Sequence, residues 1–271
     1  MTFISGAGIM ALTAACSGNI EDNNGSGGNT DDVPYEDLDV KYYKQLLVTE
    51  FTAAACINCP TMAALLDEVD SKQSGEYAIT ALHIPYGGTK DELCINMGQT
   101  YAERLNVTGL PTGFLDLRKE CEFTSDKTSF DKAVKKELEE HPAMCGVSIE
   151  SDYDGSGRSL SVTAKVTSNK HRPYRYLIML IENDVNGYNY SVRSVMATNI
   201  YGNRLNNGTA LVPGTEYTGT RTTVLDSGWN EANMKIVVAA LYSEDNEVTW
   251  VCDNVAMCGI GGNVDYKYIN E

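Results

Sequence analysis

Two cysteines with two residues between them, Cys56 and Cys59, are the side chains in this sequence best suited to covalent chemistry. They follow an apolar run, Leu46 to Phe51, and a short loop of small residues. An amphipathic segment opens just after them, at Pro60. A strand, a loop and a helix start with Cys-x-x-Cys at the junction make a thiol–disulfide motif. Two intervening residues on a first helical turn bring the sulfurs within bonding reach. Free backbone N–H groups and the positive end of the helix favour a thiolate on the first cysteine. The second is placed to resolve a mixed disulfide.

The elements needed to position these residues are legible as patterns. Tyr42 to Phe51 reads as a strand covered on both faces. Met62, Leu65, Leu66 and Val69 recur at helical spacing from Ile57 to Lys72, with Pro60 in the first turn, where a missing N–H costs nothing. Tyr77 to Ile84 is a second buried strand. Asp91 to Leu105 is a helix with Cys94, Met97, Tyr101 and Leu105 on one face. Gly113 to Leu117 is a strand, and a short one is expected around Cys121 to Phe123. Thr128 or Ser129 caps a last helix that ends at His141-Pro142. After about Gly146 the period changes from helical to two. Val147 to Glu150 and Ser159 to Val166 flank a turn at Asp154-Gly155-Ser156-Gly157. Tyr176 to Ile181, Lys235 to Tyr242 and Val248 to Cys252 are further strands. The polar stretch from Asn183 to Trp229 reads as long loops with strands at 188–197 and 219–225.

Val107-Thr108-Gly109-Leu110-Pro111-Thr112 resembles the cis-proline loop that faces the Cys-x-x-Cys of thioredoxins, and Glu50, six residues before Cys56, matches the buried acid of that family. The resemblance implies that Glu50 helps move the proton of Cys59 and that Pro111 shapes the partner groove. Ala55 and Thr52 stand where thioredoxins usually carry tryptophan, and the inner dipeptide is Ile57-Asn58. The resemblance implies a thioredoxin-like fold and thiol chemistry. Glu-Phe-Thr, then Cys-x-Asn-Cys-Pro, Gly-Leu-Pro-Thr and the C-terminal Val237 to Tyr242 together resemble the outer membrane protein 28 family of lipoproteins. That resemblance implies an outer-membrane lipoprotein, surface-exposed, with a thioredoxin-like domain and an immunoglobulin-like β-sandwich. The expected class is therefore two-domain α+β. A lipoprotein signal peptide occupies 1–16, a disordered acidic tether 17–39, the thioredoxin-like domain 40–143 and the β-sandwich 144–271.

The 271 residues carry 37 acidic and 21 basic side chains, a net charge of −16, which argues against nucleic acid as a partner. Met1 to Ala15 is apolar and ends in small residues before Cys16, like a lipobox whose cysteine is lipidated and tethers the protein to the outer membrane. No later stretch of about 18 apolar residues follows. Eight cysteines suit an oxidising compartment. Cys252 and Cys258 are expected to close a small disulfide loop. Cys94 and Cys145 are the first candidates for unpaired thiols among the seven that remain besides Cys16. Cys94, Cys121 and Cys145 lack metal-ligand spacing, and no metal or cofactor is expected. Asp152 to Gly157 is like the start of a calcium loop, but its twelfth position is Thr163, so a hairpin turn is preferred. His83 is read as an ordinary structural histidine near a strand end.

Two functions stay open. One is a thiol–disulfide oxidoreductase acting on protein thiols or disulfides through Cys56 and Cys59. The other is a surface binding or adhesion lipoprotein, in which the dithiol staples the helix start and the β-domain recognises a ligand. The Tyr-rich stretch 183–217 suits that recognition, or a homodimer contact.

Overall fold

The computed structural model describes residues 35–73, 75–245 and 248–269. The signal peptide, Cys16 and most of the tether lie outside them. In chain order the elements are β1 (Leu46–Thr52), α1 (Cys59–Lys72), β2 (Tyr77–His83), α2 (Asn96–Leu105), β3 (Thr112–Leu115), β4 (Glu122–Phe123) and α3 (Lys127–Glu140). Then follow β5 (Cys145–Asp154), β6 (Ser159–Ser168), β7 (Arg172–Glu182), β8 (Ser191–Val195), β9 (Asn203–Arg204), β10 (Ala210–Leu211), β11 (Glu216–Val224), β12 (Met234–Ser243) and β13 (Trp250–Gly259). The class is mixed α+β, with more strand than helix.

A single sheet runs β13-β12-β7-β8-β2-β1-β3-β4, with β9 and β10 attached to β7. β1 and β2 are parallel, and β3 and β4 continue antiparallel. The sheet crosses the segment boundary expected near residue 144 at one place, where Ala81 of β2 pairs with Ser191 of β8. A second sheet, β11-β6-β5, holds the 154–157 hairpin.

Alternation along the strands explains the layers. Leu47 and Phe51 of β1, Leu177, Met179 and Ile181 of β7, and Val237 and Ala239 of β12 all share one face. Tyr101, Ala102 and Leu105 of α2 pack on that face. The opposite face is covered in two pieces. Leu46 and Val48 meet α1 and α3, while Ile178, Leu180, Ile236 and Val238 meet the even residues of β6. Each fully buried apolar side chain in these layers contributes about 1.5–3 kcal/mol relative to exposure. α2 also ties the halves by polar contacts: Tyr101 Oη donates to Ile200 O at 2.5 Å, and Arg104 donates to Trp250 O.

Local deviations from the expected elements have side-chain causes. α2 begins at Asn96, not Asp91, because the Asp91 carboxylate accepts from Leu93 N at 3.0 Å and holds the chain in a loop. α3 begins earlier than expected, because Asp126 is its N-cap and accepts from Ser129 N at 2.9 Å. Tyr42 contributes only an isolated bridge to Tyr268.

A buried charge cluster fastens α3 to the sheet. Arg118 donates to Glu137 Oε1 at 3.1 Å, to Tyr242 Oη at 2.7 Å and to Glu244 Oε1 at 2.5 Å. Lys44 Nζ lies 2.7 Å from Asp116 Oδ2 and 3.5 Å from Glu137. Removing one partner of a buried pair leaves the other uncompensated. Arg118→Met is expected to destabilise the fold by about 3 kcal/mol or more in urea unfolding. A loss below about 1 kcal/mol would mean that the cluster is not a fastener.

Candidate functional site

Cys56 and Cys59 form a disulfide with Cα atoms 5.4 Å apart. The turn that presents them is made by backbone bonds: Cys56 N donates to Ala53 O at 3.0 Å and Cys59 N to Cys56 O at 3.3 Å. Pro60 occupies the first turn of α1, and no acidic residue lies there to offset the positive helix end. A thiolate formed at this turn is therefore favoured. The Leu110–Pro111 bond is cis. Leu110 packs on a small cluster of Ala53, Cys56 and Cys59, so the proline loop faces the disulfide. Cys56 is 5% exposed and Cys59 2%, while Ile57 between them is 91% exposed. On the other side of the proline loop a cavity of about 430 Å³ is lined by Ile84, Tyr86, Ala102, Val107, Gly109 and Leu110, among others.

The strand period decides where Glu50 points. Leu46 and Val48 face α1, so Glu50 and Thr52 face it too. On β2, Tyr77, Ile79 and Ala81 face α1, and His83 continues that series. Register sets Glu50 beside Ala81 and Thr52 beside His83. Glu50, His83, Cys59, Pro60 and Ala63 line one cavity of about 380 Å³, walled on its far side by residues 186–190. Glu50 is 3% exposed, and its Oε1 has no hydrogen-bond partner among the described residues. Burial pushes its carboxyl up to about 8; a hydrogen bond from Thr52 opposes this and the Asp67 charge adds to it.

The sequence reads His83 as a structural histidine near a strand end and Asp91 as a helix start; the structure instead pairs the two beside the dithiol. His83 Nδ1 lies 3.1 Å from Asp91 Oδ2, and Asp91 also accepts from Ala54 N at 2.8 Å. Asp91 thus ties the loop before Cys56 to the end of β2. Burial lowers the His83 pKa, and the bond to Asp91 only partly opposes it, so the ring is neutral at pH 7. Burial tends to raise Asp91, but the Ala54 N–H and His83 outweigh it, and the carboxyl lies below its usual range. The signal available in the sequence was the place of His83 at the C-terminal end of a strand, the edge that carries the dithiol. The 186–190 wall gave no local signal.

The expected Cys252–Cys258 disulfide is not formed. Cys94, Cys121, Cys145, Cys252 and Cys258 are all free thiols among the described residues. Cys252 and Cys258 lie in one strand, opposite Leu241 and Ile236 of β12. Extended chain separates them by about 20 Å, far beyond disulfide reach of about 7 Å. Burial pushes Cys94 and Cys258 up to about 11, and raises Cys121, Cys145 and Cys252 as well. Among the described cysteines this leaves Cys56 and Cys59 as the candidates for ready thiol chemistry. Among the described residues no group of three or more His, Cys, Asp or Glu is arranged to hold a metal, and no helix is long and apolar enough to cross a membrane.

The buried Glu50 makes a pH prediction. Its folded pKa lies above the unfolded value, so its contribution is fully present at low pH and is lost as pH rises toward about 8. Glu50→Gln removes that loss. The variant is expected to gain stability over wild type between about pH 5 and pH 8, at up to about 1.4 kcal/mol per pH unit. The check is urea unfolding at several pH values. A difference that does not change with pH would mean an ordinary carboxyl.

No family model matches the chain, and no curated protein matches it. Its fold is similar to that of HBP35 of Porphyromonas gingivalis, at 15% identity and a TM-score of 0.65, over 82% of this chain and 76% of that one. It is also similar to a protein of Agrobacterium tumefaciens known from an X-ray crystal structure, at 14% identity and a TM-score of 0.53, over 83% of this chain and 97% of that one. At such identities the likeness is one of fold, and function has to be argued from the site.

Proposed function

We propose that the protein is a thiol–disulfide oxidoreductase of thioredoxin-like type, working through Cys56 and Cys59. The observation that carries this reading is the disulfide at the N-terminus of α1, with the cis-proline loop packed on it and the buried Glu50 in the cavity beside Cys59. In the reduced protein the Cys56 thiolate attacks one sulfur of a partner disulfide. A mixed disulfide forms, and the partner's other sulfur leaves as a thiolate that takes a proton from solvent. Cys59 then loses its proton to an ionised Glu50, whose raised pKa lies near that of a thiol. The Cys59 thiolate attacks the Cys56 sulfur, closes the intramolecular disulfide and releases the second partner thiol. The partner is thereby reduced and the dithiol oxidised; an external dithiol then reduces the Cys56–Cys59 disulfide, is itself oxidised, and readies the protein for another cycle. The cavity beside Leu110 offers room for an extended partner chain pairing with the proline loop.

The wider reading comes from the sequence. It is an outer-membrane lipoprotein anchored through Cys16, resembling the outer membrane protein 28 family, with a thioredoxin-like segment at 40–143 and an immunoglobulin-like segment at 144–271. The near-complete burial of Cys56 and Cys59 favours a second reading. In it the disulfide staples the helix start, and a surface ligand is recognised by the second segment.

Mixed-disulfide trapping separates the two. With a disulfide-linked peptide as substrate, Cys59→Ser is expected to accumulate a stable adduct at Cys56, while wild type turns over with dithiothreitol as reductant. Cys56→Ser should give neither. Wild type that fails to accelerate peptide reduction, together with a Cys59→Ser protein that forms no adduct, would leave the staple reading.

A further inference from the structure

The cavity beside Cys59 holds more unmet acceptors than a proton relay needs. Glu50 and His83 both line it, and among the described residues Glu50 Oε1 and His83 Nε2 have no hydrogen-bond partner, on residues 3% and 1% exposed. Asp91 is an ionised acceptor of backbone N–H bonds, so His83 Nδ1 carries the ring proton and Nε2 presents a lone pair. Asp67 adds a carboxylate from α1. Three polar side chains of the far wall already donate elsewhere. Asn186 Nδ2 donates to Glu92, Asn189 Nδ2 to Asp67 at 3.0 Å, and Tyr190 Oη to Asp70 at 3.2 Å. No Lys or Arg among the described residues lines the space, while Ala63, Ala64, Ala81 and Gly187 keep it open. The Tyr188 ring closes one side, edge-on to His83 at 4.8 Å between centroids. Its volume, about 380 Å³, lies within the usual range of small-molecule sites.

We propose that this cavity binds a compact organic cation, a guanidinium or primary ammonium group on a short apolar stem. The charged head donates to Glu50 Oε1 and His83 Nε2, and the stem lies along Ala63 and Ala64. A guanidinium offers five donors in a plane, which suits two acceptors on neighbouring strands and a third, the Asp67 carboxylate, at the helix. The net charge of −16 draws cations toward the site. The cavity exists with the disulfide closed, so this inference does not rest on the thiol chemistry.

Binding requires Glu50 to lose its proton. The groups that face it or line the same space are Asp67 on α1, His83 on β2 with Asp91 behind it, and Tyr188 and Tyr190 on the far wall, with Arg193 acting on His83. Burial pushes the Glu50 carboxyl up to about 8, so it loses its proton across about pH 6 to pH 8. The test is calorimetric titration of the oxidised protein with butylguanidinium, with neutral butylurea as the control. The expected result is saturable binding of one butylguanidinium, strengthening by up to about tenfold per pH unit from pH 6 to pH 8, and no saturable binding of butylurea. Glu50→Gln should weaken binding at least tenfold. Ala63→Leu, which fills the cavity, should abolish it while circular dichroism and the urea midpoint stay near wild type. Equal binding of butylurea, absence of saturation, a flat pH profile, or affinity indifferent to both substitutions would overturn the proposal. The last outcome would assign the binding to the acidic surface.

Discussion

Glu50 lies under the first turn of α1 with one carboxyl oxygen unpaired, and much of the molecule is arranged around keeping it there. An isolated buried carboxylate is costly, so the group holds its proton well above the usual carboxylate range. The cost is tolerated because β1 is central. It is paired on both sides, by β2 and β3, and all seven of its residues are buried. A strand so constrained cannot rotate a polar side chain out to solvent. The same constraint fixes the Cys56–Cys59 turn, which follows directly from the end of β1, and sets the acid close to Cys59.

The second half of the chain completes this environment. β8 joins β2 through Ala81 and Ser191, and the turn before it brings residues 186–190 across the cavity. α2 packs against strands from both halves on one face of the sheet. The buried cluster of Lys44, Asp116, Arg118 and Glu137 fastens α3 and the start of β1 to β12 and β13, with Lys44 Nζ donating to Asp253 O at 2.6 Å. Site and scaffold are thus one structure: the wall of the cavity beside the disulfide is made by residues more than a hundred positions away in sequence.

What was legible in the sequence was whatever is written in local spacing. The Cys-x-x-Cys, the Gly-Leu-Pro-Thr loop and the offset of Glu50 lie within single elements or junctions, and period two places Glu50 on the α1 face. The α1 face residues Met62, Leu65, Leu66 and Val69 are buried as their helical spacing implies. The crossing of the sheet from β2 to β8 was not legible, because one parallel bridge between distant strands leaves no periodic trace. Asp91 was misread as a helix start, since a carboxylate that organises a loop has the same local signature as one that opens a helix. The Cys252–Cys258 loop failed for a related reason. Two nearby cysteines suggest a short loop, but β12 holds that stretch extended.

The measurement that tests the account most directly is the pH dependence of Cys56 alkylation in the reduced protein, with each cysteine followed separately by mass spectrometry. The account predicts a Cys56 thiolate that forms well below the free-cysteine value of about 8.5, with Cys94, Cys121, Cys145, Cys252 and Cys258 unlabelled at neutral pH. A Cys56 that titrates like a free thiol, or a disulfide that mild reductant does not open, would contradict it and leave the pair as a structural clamp on α1.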